Sequence, residues 1–320
     1  MKAGRIVIGT RGSPLALWQA EFVRSALMEL FPGASVEIEV IKTTGDAVLD
    51  APLSKIGSKG LFTKEIEQAL IDGRVDLAVH SLKDVPTALP PGLVVGAVTK
   101  REDVHDVFIA HPDRPCGGID ELPQGAEIAT GSLRRTCQLL RWKPDLRIVD
   151  LRGNLNTRLS KLDESAWHGI ILARAGVVRL GAANRISQIL PLERVLPAVG
   201  QGALGIEVRD GDQRILKLVK PLNDEAALIS TNGERALLGV LEGGCQVPIG
   251  AHGRLAKGEF LLDAMIGSLD GGRVIRASNH GPASESAALG EELGEALLRS
   301  GGKEILDEVR NHDLNEVPDA

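Results

Sequence analysis

Short β-rich runs alternate with amphipathic helical runs, and the alternation occurs twice along the chain. That pattern restricts the fold to α/β layers built on mostly parallel sheets. The first round runs Arg5 to Gly9, Pro14 to Leu30, Val36 to Ile41, Leu61 to Ile71 and Asp76 to His80. The second runs Glu127 to Thr130, Leu133 to Trp142, Arg147 to Leu151, Thr157 to Leu162 and Gly169 to Ala173. Both rounds open alike. Ile8-Gly9-Thr10-Arg11-Gly12-Ser13-Pro14-Leu15 and Ile128-Ala129-Thr130-Gly131-Ser132-Leu133 each pass from strand through a small polar turn and a serine into a helix. Two related lobes facing one cleft are expected. In the first helix Leu15, Trp18, Phe22, Ala26 and Leu30 recur every three or four residues and predict an apolar face, with Ser13 as N-cap and Pro14 at the first helical position.

The last third of the chain changes pattern. Phe260 to Leu269 and Arg273 to Ala277 flank Asp270-Gly271-Gly272, a hairpin signal, before a helical stretch from Ser284 to Leu297. This reads as a small α+β domain, and 320 residues are enough for two or three domains at roughly 100–200 residues each. The polar segment Thr99 to Asp103 and the Pro/Gly-rich segment Leu196 to Ala203 read as crossings between the lobes. The predicted division is 1–99 with 200–220 as the first lobe, 105–196 as the second, and 223–320 as the C-terminal domain.

Charge and cysteine usage narrow the function. A net charge of −6 argues against a protein that binds nucleic acid with its whole surface, so any anion site must be a local concentration of Arg and Lys. Three cysteines without zinc spacing suggest neither a disulfide framework nor a metal site. With no apolar h-region at the N-terminus and no run of about 18 apolar residues, a cytoplasmic protein with no membrane span is expected.

Ser132-Leu133-Arg134-Arg135 places two adjacent arginines in a first helical turn, where the helix dipole disfavours cations. An anionic ligand would remove the conflict, since backbone N–H groups and guanidinium forks converge on one carboxylate or phosphate; the alternative is two solvated arginines. Arg11, Arg152 and Arg158 also follow predicted strands, where ligands of open α/β sheets bind. With neither a P-loop nor a Gly-x-Gly-x-x-Gly after a strand, carboxylates are favoured over nucleotide phosphates. Ser81, Lys83 and Asp84 lie at the carboxyl end of another strand. Asp84 could hold an N–H donor and stabilise a developing cation, or could simply serve the turn before Pro86. His80 reads as a core residue. The stretch from Asp50 to Gly60 is lid-like, and its Lys55 and Lys59 could reach an anionic substrate or stay solvated. Cys137 reads as packing, and Cys116 as a loop thiol. Cys245 sits between Gly243-Gly244 and Gln246-Val247-Pro248, a setting compatible with a nucleophile, an attachment point or a structural cysteine.

Taken together, Gly9 to Ala20, His80 to Pro86, Ser132 to Arg135, Leu151 to Asn154, Gln201 to Glu207 and Glu242 to Gly250 resemble the porphobilinogen deaminase (hydroxymethylbilane synthase) family, in family order. The resemblance implies two periplasmic-binding-protein-like lobes around a cleft plus the small C-terminal domain. It implies a dipyrromethane cofactor, built from two porphobilinogens and joined to Cys245 by a thioether. It also implies condensation of four further porphobilinogens head to tail, with loss of ammonia each time and hydrolysis to linear hydroxymethylbilane for tetrapyrrole biosynthesis. Asp84 matches the catalytic residue that holds pyrrole N–H groups and stabilises the cation left when ammonia departs. Ser81, Lys83, Asp84, Thr130, Ser132, Arg134, Arg135 and Arg152 match cofactor-binding positions; Arg11, Ser13, Lys55, Lys59, Phe62, Arg152, Arg158, Arg179 and Gln201 match substrate-binding ones. A monomer without stable protein partners is the family expectation. Two departures stand out: Gly131 where many members carry a hydroxyl residue, and Asn156 in place of a frequent glycine before Arg158. The competing classes are a non-catalytic two-lobed anion-binding protein and an unrelated thiol enzyme using Cys245.

Overall fold

The computed structural model describes residues 4–47, 62–241 and 247–315. Its strands are β1 (Arg5–Thr10), β2 (Ser35–Val40), β3 (Leu77–Ser81), β4 (Leu93–Val98), β5 (Asp106–Ala110), β6 (Glu127–Ala129) and β7 (Arg147–Val149). They continue as β8 (Gly169–Ala173), β9 (Gln188–Ile189), β10 (Leu204–Arg209), β11 (Ile249–Ala256), β12 (Glu259–Gly267) and β13 (Val274–Pro282). The helices are α1 (Pro14–Leu30), α2 (Thr44–Ala47), α3 (Lys64–Ile71), α4 (Leu133–Trp142) and α5 (Leu155–Glu164). After them come α6 (Arg174–Arg179), α7 (Gln213–Val219), α8 (Glu225–Val240), α9 (Ser286–Leu297) and α10 (Lys303–Asn315).

These elements fall into two compact units. One holds the described residues up to 47, from 62 to 102 and from 200 to 228; the other holds 103–199 and those from 229 onward. Two of the boundaries, 102/103 and 199/200, fall inside the polar and Pro/Gly-rich segments expected to be crossings, while the third, 228/229, falls within α8.

The first unit is built on a five-stranded sheet in the order β2-β1-β3-β10-β4. β1 runs parallel to β2 and β3, while β10 lies antiparallel to β3 and β4. The second unit contains a sheet of the same plan, β7-β6-β8-β5-β9, with β6 parallel to β7 and β8 and β5 antiparallel to β8 and β9. The match of β1 with β6 and of β3 with β8 is the duplicated opening seen in the sequence. In both sheets the inner strands are apolar on both faces, as parallel strands covered on two sides must be. Ile6, Ile8, Leu77 and Ile206 in the first sheet, and Phe108, Ile128 and Ile171 in the second, are fully buried.

Helix α1 begins where Ser13 and Pro14 predict. The Ser13 Oγ accepts from the Ala16 N–H at 3.3 Å, and Pro14 needs no N–H at that position. Its buried face is different from the one expected. Ala16, Gln19, Ala20, Val23 and Leu27 face the core, whereas Trp18 and Phe22 stay exposed, stacked on one another at 5.6 Å, and Leu30 is exposed too. Both sets have helical period. The smaller side chains face inward because α1 lies close over β2 and β3, which leaves little depth for rings. Helix α5 starts two residues before the predicted Thr157, because the Asn154 side chain caps it by accepting from the Thr157 N–H.

The second unit also contains the antiparallel sheet β11-β12-β13, which shares one core with α8, α9 and α10 through Leu237, Phe260, Leu262, Leu293, Leu297 and Ile305. Helix α4 packs on β12. Cys137 fits there so closely that a Cβ on Gly267 would stand 2.2 Å from its Sγ, and burial pushes the Cys137 thiol up to about 12. The packing role expected for Cys137 holds.

Candidate active site

In the first unit, β3 is central in its sheet, so the chain stays buried through His80. His80 Nε2 lies 3.1 Å from Glu207 Oε2 on β10, with both side chains buried, as befits a satisfied core histidine. The strand ends in a single 3-10 turn, Leu82–Asp84, that brings Ser81 and Lys83 to half-buried positions and Asp84 to an exposed one. The Leu82 N–H donates to the Ala203 carbonyl at 3.0 Å, and the Val85 N–H closes the turn on the Leu82 carbonyl at 3.1 Å. Gly200, at φ +72°, runs against this turn: a Cβ there would lie 3.2 Å from both Leu82 C and Lys83 N. Gln201 follows it and is 1% exposed.

Ser81 is oriented from behind. Gln19, on the buried face of α1, donates its Nε2 to the Ser81 Oγ at 2.8 Å, which leaves the hydroxyl proton of Ser81 to be given elsewhere. Arg11, one residue beyond β1, stacks its guanidinium over the Phe62 ring, 4.1 Å from the centroid, a cation–π contact that fixes a flexible side chain. The Ser13 hydroxyl is the α1 cap.

In the second unit, the turn after β6 carries Thr130, Gly131 and Ser132. The Ser132 N–H donates to the Thr130 Oγ1 at 3.3 Å, and the Ser132 hydroxyl makes no capping bond to α4. Arg134 and Arg135 follow, both 5% exposed. The anion they meet is internal. Asp106, the first residue of β5 and fully buried, takes Arg134 Nη1 on one oxygen and Arg135 Nη2 on the other, each at 2.7 Å. Arg134 Nη1 also donates to the Leu196 carbonyl at 2.5 Å, and Arg135 Nη1 to the Ile171 carbonyl at 3.0 Å. Arg135 Nε is buried without a hydrogen-bond partner. Burial alone would raise the Asp106 carboxyl, but the Arg134 and Arg135 guanidiniums outweigh it and hold the group well below the usual carboxylate range. Burial lowers the Arg134 pKa, opposed by Asp106.

The dipole conflict that pointed to an external anion is thus met by a carboxylate of the chain itself. Asp106 escaped the sequence reading because it lies 28 and 29 residues from its two partners. Its signal was a lone acid opening the apolar run Asp106-Val107-Phe108-Ile109-Ala110. Gln19 escaped because its partner, Ser81, lies 62 residues away on another element.

Arg152 Nε pairs with Asp150 Oδ2 at 3.0 Å beyond β7, and Arg158 Nε donates to the Gly153 carbonyl at 2.8 Å near the start of α5. Arg179 ends α6, half-buried. A Cβ on Gly131 would lie 2.8 Å from the Leu151 carbonyl oxygen and 3.1 Å from Asp150 Oδ1, so a larger residue here requires the strand end after β7 to shift. Asn156 is exposed in the first turn of α5. Lys55, Lys59 and Cys245 lie outside the described residues.

Each lobe therefore gathers hydroxyl, ammonium or guanidinium groups at the carboxyl ends of its parallel strands. These are donors that suit a ligand rich in carboxylates, and the unpartnered Arg135 Nε is one buried donor still to be met. Among the described residues no group of three or more His, Cys, Asp or Glu is placed to hold a metal ion, and no helix is long and apolar enough to cross a membrane.

A family model described as "Porphobilinogen deaminase, dipyromethane cofactor binding domain" matches residues 6–217, and its C-terminal-domain counterpart matches residues 228–299. The chain belongs to the porphobilinogen deaminase family. Relatives named porphobilinogen deaminase include those of Chlorobaculum tepidum, 50% identical over 95% of this chain and 98% of that one, and Chlorobaculum parvum, 51% identical with the same coverage. One from Syntrophobacter fumaroxidans is 49% identical over 95% of this chain and 97% of its own. Among solved structures, the Bordetella pertussis BvgS periplasmic VFT2 domain aligns at 16% identity with a TM-score of 0.40, covering 73% of this chain and 91% of that one. At that score the alignment adds nothing to the sheet plans above. The family's cofactor-binding domain spans both five-stranded sheets, and its C-terminal domain covers the three-stranded one.

Proposed function

We propose that this chain is a transferase that condenses four porphobilinogens head to tail on a covalently held dipyrromethane, releases ammonia at each step and, when water cleaves the bond between the primer and the four added rings, yields linear hydroxymethylbilane for tetrapyrrole biosynthesis. The observation that carries this reading is the match of donors to ligand. Every pyrrole of the product bears an acetate and a propionate, and a chain of net charge −6 nevertheless concentrates cations and hydroxyls at its strand ends.

The division of labour follows from the two sets of turns. Dipyrromethane, when bound, supplies a nucleophilic pyrrole carbon for extension, and Cys245 is its attachment point. Ser81, Lys83, Ser132, Arg135 and Arg152 hold its carboxylates; Thr130 braces the turn carrying Ser132. Arg134 belongs to the same set through the Asp106 cluster. Asp84, at the exposed end of the turn after β3, accepts from pyrrole N–H groups and stabilises the positive charge that grows on a substrate pyrrole as ammonia leaves. Arg11, Ser13, Phe62, Arg158, Arg179 and Gln201, with Lys55 and Lys59, bind the carboxylates of incoming porphobilinogen. Three domains serve this scheme: 1–99 with 200–220, 105–196, and 223–320, the last carrying the attachment cysteine. The protein acts as a cytoplasmic monomer, and porphobilinogen is its partner molecule.

Intact-mass spectrometry tests the reading. The purified active chain is expected to carry the added mass of a dipyrromethane, mapped to Cys245; turnover by an unmodified chain would overturn it.

A further inference from the structure

We infer that Asp106 is the positioning residue of the cofactor site: it holds Arg134 and Arg135 in one geometry and trims their joint charge, so that Arg135 presents its remaining donor edge to a single carboxylate of the primer. The inference rests on the function proposed above.

The geometry carries the argument. One fully buried carboxylate bridges two adjacent guanidiniums, using a different oxygen for each at the same 2.7 Å. Two arginines on successive residues of a helix point about 100° apart, and their like charges repel, so they do not converge without an acceptor between them. The three side chains together carry one net positive charge, which matches one ligand carboxylate rather than two.

The two arginines are used unequally. Arg134 ties α4 to the 190–197 segment, because the same Nη1 that meets Asp106 also meets the Leu196 carbonyl. Gln138, one turn further on, bonds the Leu196 backbone in both directions, with Leu196 N–H to Oε1 at 2.8 Å and Nε2 to Leu196 O at 3.1 Å. Arg135 has its two Nη atoms committed to Asp106 and the Ile171 carbonyl, while its Nε is left unmet. Arg134 is thereby a clamp, Arg135 the ligand-facing member, and Asp106 the residue that makes both roles possible from neighbouring positions.

Asp106→Asn keeps the shape of the side chain but turns one acceptor oxygen into a donor facing a guanidinium and raises the cluster's charge to two. The protein is produced without cofactor and supplied with porphobilinogen, and dipyrromethane loading is followed by intact mass beside circular dichroism and thermal melting. Folded Asp106→Asn is expected to load about tenfold to a hundredfold more slowly than the wild type, the range by which outer-shell partners influence a site. Asp106→Glu, which keeps the charge, is expected to recover part of that loss. Wild-type loading in folded Asp106→Asn overturns the inference. Should that variant fail to fold, the double variant Asp106→Asn/Arg134→Gln restores the single net charge and takes over the test. A folded double variant that loads slowly supports positioning; one that loads normally, or one that also fails to fold, overturns it and leaves Asp106 a folding residue. A wild-type chain that turns over without a bound primer would instead overturn the proposed function.

Discussion

The two five-stranded sheets share one strand plan yet treat the charges in the turns after their strands differently. The first unit leaves its chemistry open: Asp84 is exposed, Lys83 is half-buried, and Arg11 is steadied by the Phe62 ring. The second sinks two guanidiniums into the protein and balances them with Asp106. An exposed carboxylate adapts cheaply to a changing partner, whereas a buried network holds one arrangement and is costly to break. The contrast is between a strand-end turn open to whatever approaches it and a charge network whose geometry the fold itself fixes.

The largest expected effect tests the buried side. Arg134→Met leaves half of the Asp106 carboxylate without its partner and is expected to cost about 3 kcal/mol of stability, the lower end for breaking a buried ion pair. Urea denaturation reads this; a loss below about 1 kcal/mol, the level of a surface pair, would erase the contrast between the lobes. On the open side, Asp84→Asn is expected to leave melting unchanged while lowering turnover about a hundredfold or more, as removal of one preplaced electrostatic group does. Near-normal hydroxymethylbilane formation would remove Asp84 from the chemistry.

Smaller effects sharpen the comparison. Phe22→Ala is expected to cost about 1 kcal/mol, the value of an exposed aromatic stack, in place of the roughly 3–5 kcal/mol of a core phenylalanine. A core-sized loss in the melting curve would return Phe22 to the buried face. The pH dependences should have opposite signs. Asp106 has a depressed carboxyl, so its contribution is present above the ordinary aspartate range and is lost only in strong acid. Glu67, buried on α3, has its carboxyl raised by burial and further by the charge of Glu207, while Thr63 and His80 act the other way. For Glu67 the folded state holds the proton more tightly, so stability falls as pH rises from the ordinary glutamate range through the raised value. Glu67→Gln should therefore be more stable than the wild type at neutral pH, with the gain vanishing near the ordinary glutamate pKa; equal urea midpoints at both pH values would contradict the shift.

Legibility followed the range of the interactions. Helices α1 and α4 match the predicted spans residue for residue, since each follows a local signal, the Ser13 cap with Pro14 for α1 and the turn from β6 through Ser132 for α4. The α1 core face was misassigned because two helical stripes compete along it, one of large rings and one of small residues with Gln19. β10 was not singled out as a strand: it returns to the first sheet after the whole second sheet has been made, and pairs antiparallel between β3 and β4. The residues of the Ser81–Asp84 turn were found because a strand end and its polar turn are contiguous. The bridge that organises Arg134 and Arg135 was not, because it joins separate elements.

By itself the sequence determined the duplicated α/β plan, the polar turns at the strand ends and the residues of the family's motifs, all of which depend on neighbours in the chain. Only the tertiary structure decided which face of α1 is buried, that Gln19 orients Ser81, and that the anion between Arg134 and Arg135 is Asp106. Those choices depend on close packing and on the cost of leaving a buried charge unpaired, and both arise only when distant segments meet in space.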